Sequence, residues 1–282
     1  MASVSIITTF FNETPEVLQR AVLSILNQDF KDFEYIIVPG NPENTAAITF
    51  LKERNDPRIR LIEPGRKEIM TVCLNLAIKS SSASYIALQE ADDESLPERM
   101  QVQYDFMQAH PEVDVCGTAI RYVDEVTKKD ILIRRYPVHP SKQFLKYAAI
   151  AHPTIMAKRE VYDKFGFYSE DIAVRNSPDY ELWLRWLSQG VRFYNIDKVL
   201  FNYYQSANNG RNRNVKPTLQ SVIRLKNIYK SKLPFSLSDH LYLWAEKALL
   251  LVPSKIISNV FYYWTEFNNS IIQMKNNKLS KS

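Results

Sequence analysis

Glycine and cysteine are scarce in this 282-residue chain, which has six of the first and two of the second. So few glycines exclude a collagen-like repeat and a flexible-linker composition. Cys73 and Cys116 each sit among apolar neighbours, with no second Cys or His at metal-ligand spacing. That excludes a disulfide framework and predicts two buried, reduced thiols, as in a cytosolic protein. No run reaches the roughly 20 apolar residues that a spanning helix needs. The nearest stretch, 241–264, is interrupted by Glu246, Lys247, Pro253 and Lys255. Met1-Ala2-Ser3 leads straight into an apolar run, so no signal peptide is expected. Acidic charge is missing from one end. From Lys216 onward ten Lys and Arg face three acids, so this segment carries +7 while residues 1–215 carry −2, for a net +5. A slightly acidic body argues against a nucleic-acid interface.

Hydrophobic residues make up 45% of the chain, enough for one large core with an appendage. Val4 to Phe10, Phe33 to Val38, Arg58 to Ile62, Tyr85 to Gln89 and Val113 to Tyr122 read as strands. Helical patterns separate them, at 18–25, 46–52, 71–79 and 97–110. This alternation predicts an α/β fold with a mostly parallel sheet flanked by helices. Ligands of such sheets bind at the carboxyl ends of the strands, so the turns after Phe10, Val38 and Gln89 should share one edge. Beyond Asp130 the pattern is irregular. Ala149 to Met156 reads as extended, Arg159 to Phe165 and Pro178 to Gln189 as helices, and Val199 to Tyr204 as a strand. From Pro217 the chain is helical, and 276–282 is expected to be disordered. The expected division is a domain over 1–215 and a basic amphipathic helical region over 216–282.

Glu90-Ala91-Asp92-Asp93 places three acids in four residues at the end of a buried strand. Their mutual repulsion costs free energy unless a cation shares them. Mg²⁺ or Mn²⁺ takes few carboxylates together with diphosphate oxygens, so the turn suits a metal-bound nucleotide diphosphate. The competing reading is a helix start, because acids are also favoured ahead of the helix that begins near Pro97.

Several blocks occurring in order resemble family 2 glycosyltransferases. Tyr85 to Asp93 followed by Pro97-Glu98-Arg99 is similar to that family's strand, acidic turn and Pro-Glu-Arg helix. Val4 to Asn12 resembles its opening strand, Ala21 to Gln28 its S-x-L-x-Q helix and Asp32 to Val38 its second strand. Leu74-Asn75-Leu76-Ala77 resembles its L-N-x-A helix, and His152-Pro153-Thr154 with Phe165-Gly166-Phe167-Tyr168 its acceptor-side blocks. The resemblance covers about residues 3–210. It implies a GT-A fold, with a nucleotide-binding half over about 1–120 and an acceptor half over about 121–215. It further implies an inverting transfer of sugar from a nucleotide-diphosphate sugar to a hydroxyl of a glycan or lipid-linked acceptor, assisted by Mn²⁺ or Mg²⁺. Surface polysaccharide, O-antigen or capsule would be the product.

Carried over residue by residue, Asp179 is the general base, and Asp92 and Glu90 are the metal ligands. Thr9, Phe10, Asn12, Glu13, Asn41, Asn75, Asp92, Asp93 and Arg211 contact the donor, with Arg213 a further candidate cation. His152 and Trp183 contact the acceptor. Three departures from the family pattern stand out. Pro39-Gly40-Asn41-Pro42 replaces an acidic Asp-Asp-Gly-Ser turn, Pro178 replaces a Glu before the base, and Glu90 replaces an Asp. They keep open an alternative, a non-catalytic nucleotide-sugar-binding or scaffold protein. In the tail, Leu241, Leu243, Trp244, Leu249 to Leu251, Ile256, Ile257 and 260–264 are interleaved with lysines. Such a segment suits a membrane surface, or alternatively packs on the catalytic domain or forms a dimer interface.

Overall fold

The computed structural model describes residues 2–205, 215–254, 256–257, 267 and 269–276. Its elements are β1 (Val4–Phe10), α1 (Pro15–Leu26), β2 (Phe33–Pro39), α2 (Thr45–Glu53), β3 (Ile59–Leu61), α3 (Met70–Ser80) and β4 (Tyr85–Leu88). Then come β5 (Glu94–Ser95), α4 (Arg99–Ala109), β6 (Val115–Asp124), β7 (Asp130–Arg134), β8 (Met156–Lys158) and α5 (Arg159–Phe165). The chain continues through α6 (Pro178–Ser188), β9 (Phe193–Gln205), α7 (Val215–Tyr229) and α8 (Leu237–Leu249).

Every residue of β1 is buried, because helices cover both faces of the sheet. The two-residue period of the strands sorts their side chains between two cores. Ile7, Ile36 and Val38 face one core with α3 and α6, while Val4, Ile6, Phe10, Tyr35 and Ile37 face the other with α1 and α2. Local signals set the helix starts. Thr14 accepts a hydrogen bond from the Val17 N–H at 3.5 Å ahead of Pro15, and Ser236 and Asp239 form a capping box on α8. Both cysteines are free, and burial pushes the Cys73 thiol up to about 11 and the Cys116 thiol up to about 12.

The sheet runs β3-β2-β1-β4-β8-β6-β9-β5, with β7 paired to β6. β3, β2, β1 and β4 are parallel, as are β6 and β9, and these ladders contain most of the paired residues. β8 is wedged antiparallel between β4 and β6, and β5 lies antiparallel on β9. The segment expected to be extended over 149–156 is therefore divided. Residues His152–Thr154 form a single 3₁₀ turn, and the strand begins only at Met156. Pro153 has no N–H for a ladder, and the Thr154 hydroxyl bonds back to the Ala151 carbonyl at 2.9 Å. β9 also begins six residues earlier than its apolar run suggests, because the parallel ladder to β6 carries it past Asp197 and Lys198.

The helices after β9 pack onto α6 and onto each other. Tyr229 on α7 donates to Glu181 on α6 at 3.0 Å. Lys226 on α7 is buried and meets Glu246 on α8 at 2.6 Å. Burial pushes the lysine down and the glutamate up from their ordinary values. Removing one member strands the other charge in the interior. Lys226→Met is expected to cost about 3 kcal/mol in urea unfolding, whereas the double change Lys226→Met with Glu246→Leu should recover most of that loss.

Candidate functional site

The acidic turn hangs from the end of β4. The Gln89 N–H donates to the Ile7 carbonyl at 2.9 Å and extends the ladder to β1. The Gln89 amide then donates to the carbonyls of Glu90 at 2.9 Å and Asp93 at 3.1 Å, folding the turn around its own side chain. Arg99 of the Pro-Glu-Arg block is fully buried. It donates to the Leu88 carbonyl at 2.8 Å, the Ser95 hydroxyl at 2.8 Å and Gln103 at 2.9 Å, locking the strand end to α4. Its guanidinium is pushed down to about 9 by that burial. Arg20 reaches over from α1, donates to the Asp92 carbonyl, pairs with Glu125 at 2.9 Å and lies 3.6 Å over the Tyr204 ring.

The three acids of the turn have different surroundings. Asp92 is exposed at the open side. Loss of solvation by the surrounding protein, followed by the charges of Glu90 and Glu13, pushes its carboxyl up to about 6. Glu90 is half-buried and hydrogen-bonded to His152 Nδ1 at 3.1 Å. Asp93, expected to contact the donor, is instead fully buried. One of its oxygens accepts the Tyr204 N–H at 2.8 Å, and the other has no partner among the described residues. Burial, then the neighbouring Asp92 charge, raises its carboxyl well above the usual range. Asp93 thus fastens β9 beneath the turn. Glu94 assists by accepting from Asn202 at 2.8 Å and from the Tyr204 hydroxyl at 3.0 Å.

No group of three or more His, Cys, Asp or Glu able to hold a metal occurs among the described residues. Asp92 and Glu90 nevertheless fit a divalent ion whose remaining ligands come from a diphosphate. The Asp92 carboxyl is raised first by loss of solvation and then by the charges of Glu90 and Glu13, both of which a bound cation would offset.

The turns after β1 and β2 meet beside it, as the topology requires. Asn41 donates to Asn12 at 3.2 Å, the Glu13 carboxylate accepts the Phe11 N–H at 2.5 Å, and Asn44 holds the Phe11 and Glu13 carbonyls. A Cβ on Gly40 would stand 2.0 Å from the Phe11 ring, so a larger residue there would have to displace that ring. Asn12 is exposed and Glu13 half-buried, while Thr9 and Asn41 are nearly covered. Phe10, expected at the donor, turns its fully buried side chain into the α1 core. Asn75 is likewise spent on structure. It exchanges hydrogen bonds with the Tyr168 backbone at 2.9 and 3.0 Å and donates to Glu170 at 2.8 Å.

On the opposite side stand His152, Tyr168 and Asp179. Arg185 and Trp186 of α6 clamp the carbonyls of Phe165, Gly166 and Phe167, and Gly166 adopts φ 91° there. This clamp brings the Tyr168 hydroxyl within 2.9 Å of His152 Nε2. Burial lowers the His152 imidazole, but the Glu90 hydrogen bond and charge, with the charge of Asp179, hold it above its ordinary value. Asp179 is half-buried in the first turn of α6, just after Pro178. Trp183, one turn on and expected at the acceptor, is fully buried edge-on against Phe193 and Trp186 and forms a floor near His152. Arg211 and Arg213 lie outside the described residues.

Arg20 and the hydroxyl of Tyr168 were missed by sequence reasoning. Neither carries a local signal, because Arg20 reads as an exposed helix position and Tyr168 as part of an aromatic block.

The chain matches the model of the family described as glycosyl transferase family 2 over residues 5–174. It is 30% identical over 247 residues to an uncharacterized glycosyltransferase of Methanocaldococcus jannaschii, spanning 86% of this chain and 83% of that protein. It is 34% identical over 188 residues to the O-antigen biosynthesis glycosyltransferase WbnJ of Escherichia coli, spanning 64% of this chain and 71% of that one. Among solved structures it is similar to the mannosyltransferase PcManGT of Pyrobaculum calidifontis in complex with GDP-Man and Mn²⁺. The TM-score is 0.60 at 15% identity, over 90% of this chain and 71% of that one.

Proposed function

The chain belongs to glycosyl transferase family 2, and from that premise we propose that it is an inverting, metal-assisted enzyme. It moves a sugar from a nucleotide-diphosphate sugar to a hydroxyl of a glycan or lipid-linked acceptor during surface polysaccharide assembly. The observation that carries this reading is the arrangement of two acidic centres. Asp92 is exposed on the acidic turn at the carboxyl end of β4, while Asp179 begins α6 and acts by its charge on His152, the partner of Glu90.

Asp92 and Glu90 would hold Mn²⁺ or Mg²⁺, which when bound supplies positive charge to the departing diphosphate. Asn12, Glu13 and Asn41 line the donor side of the same edge. His152 keeps Glu90 in place and Tyr168 beside it. Asp179 accepts the proton of the acceptor hydroxyl at a carboxylate oxygen, and attack from the side opposite the diphosphate inverts the anomeric carbon. The residue types fit both tasks, and no protein nucleophile is required. No helix among the described residues is long and apolar enough to cross a membrane. The proposed location is the cytoplasm, with the basic C-terminal region against the inner face of the cell membrane.

A thermal-shift screen of nucleotide diphosphates and their sugars with Mn²⁺ tests donor use. At a hundred times its Kd the right donor adds about 2.7 kcal/mol to stability. A rise in melting temperature is expected for the sugars of one base and not the others. No rise with any of them removes the donor reading.

A further inference from the structure

Surface helices of globular proteins normally turn their charges outward and their large apolar residues inward. α8 does the reverse. Leu237, Leu241, Trp244 and Leu251 are 77, 61, 71 and 89% exposed, and Ala248 lies between the last two. Spacings of four and seven residues from Leu237 put Leu241 and Trp244 on one stripe at 3.6 residues per turn, and Leu251 follows two residues after the helix ends. The acids of the same helix, Asp239 and Glu246, are buried on the far side.

The buried side explains the rotation. Leu243 packs with Leu219 and Ile223 of α7, Asp239 is committed to the capping box, and Glu246 is held by Lys226. Turning the stripe inward would break that ion pair, strand the buried Lys226 and expose Leu243. The stripe therefore stays at the surface. Leu243, Leu249 and Leu250, read from the sequence together with the stripe, belong to the packed side.

The exposed charge of this region of the chain has one sign. Over the described residues 215–254, Lys216, Arg224, Lys230, Lys232 and Lys247 are exposed or half-exposed, whereas both acids are buried. The Lys247 ammonium lies 5.8 Å from the centre of the Trp244 ring. Exposed Leu and Trp side chains in a basic segment match the boundary of an anionic bilayer, where apolar side chains enter the acyl region and lysines meet the headgroups.

We infer that the Leu237-Leu241-Trp244 stripe of α8, with Leu251 just beyond the helix and the exposed lysines of this region, is the seat of the protein on an anionic lipid surface. This deepens the proposed location, and lipid binding itself is independent of sugar transfer.

Flotation of the full chain with vesicles of equal phosphatidylglycerol and phosphatidylcholine, against phosphatidylcholine alone, tests it. Wild type should bind the first and not the second, and high salt should weaken binding. Leu241→Glu with Trp244→Glu should reduce binding at least about tenfold. Lys230→Glu with Lys232→Glu should reduce it about tenfold. All four positions are exposed, so the melting temperature and the donor-induced thermal shift should match wild type. The inference is overturned if wild type does not prefer anionic vesicles, or if the stripe variant binds as wild type does. It is also overturned if sedimentation shows a dimer that the stripe variant dissociates. A missing donor shift with intact vesicle binding would instead count against the proposed function alone.

Discussion

Asp92→Asn is expected to lower sugar transfer about a thousandfold while slightly raising the melting temperature of the ligand-free protein. Both effects come from one carboxylate, held ionised where desolvation and like charges oppose it. The Asp92 carboxyl is raised to about 6 by loss of solvation and by the charges of Glu90 and Glu13. Its folded value therefore lies above its unfolded value, and holding it ionised above pH 6 costs the folded state stability. That cost is relieved as pH falls through 6, or when asparagine replaces the acid. Solvent around the exposed side chain screens most of it, so the gain should be only about 2 °C at pH 7.5. A residue serving only as a helix-start acid would behave oppositely, because its removal would lower the melting temperature. The same ionisation sets a pH limit on activity. Metal-assisted donor binding needs the charged carboxylate, so kcat/KM should fall about tenfold per unit below pH 6. Initial rates of transfer with Mn²⁺ check both. Equal rates in wild type and variant would remove the enzymatic reading and favour the non-catalytic alternative.

The second large effect is expected at Asp179. Asp179→Asn keeps the size of the side chain and its place after Pro178 but cannot take a proton. A loss of about a thousandfold in kcat is expected, because positioned bases contribute on that order. Donor binding should be nearly unchanged, since the donor ligands lie on the turns after β1, β2 and β4. The donor-induced thermal shift therefore separates the two substitutions, being lost in Asp92→Asn and kept in Asp179→Asn. An Asp179→Asn enzyme that transfers sugar at the wild-type rate would assign the base elsewhere.

Local pattern read the local structure well. The strands of the first half and the helix Arg159–Phe165 were legible because apolar periodicity and Pro, Thr and Gly punctuation act within a few residues. The shared edge of the turns after β1, β2 and β4 was legible for a topological reason, since strands in a parallel sheet end on one side. β5 and β8 were not. They are two and three residues long and exist only because β9 and the β4–β6 gap offer them partners.

At the site the difference is between residue type and orientation. The run Glu90-Ala91-Asp92-Asp93 by itself determined that an overcharged turn would end a buried strand, since like charges so close repel in any fold. Only the tertiary structure decided the separate parts of its acids. β9 passes beneath the turn and offers the Tyr204 N–H to Asp93, which removes that acid from the ligand side, while Asp92 is left facing outward. Phe10, Asn75 and Trp183 went the same way, each turned inward by a core or backbone partner distant in sequence. The basic, apolar composition of the tail was equally plain from the residues. Which leucines would face outward was set by the pairing of Lys226 with Glu246, twenty residues apart, because a buried charge must meet its partner before a helix can bury anything else.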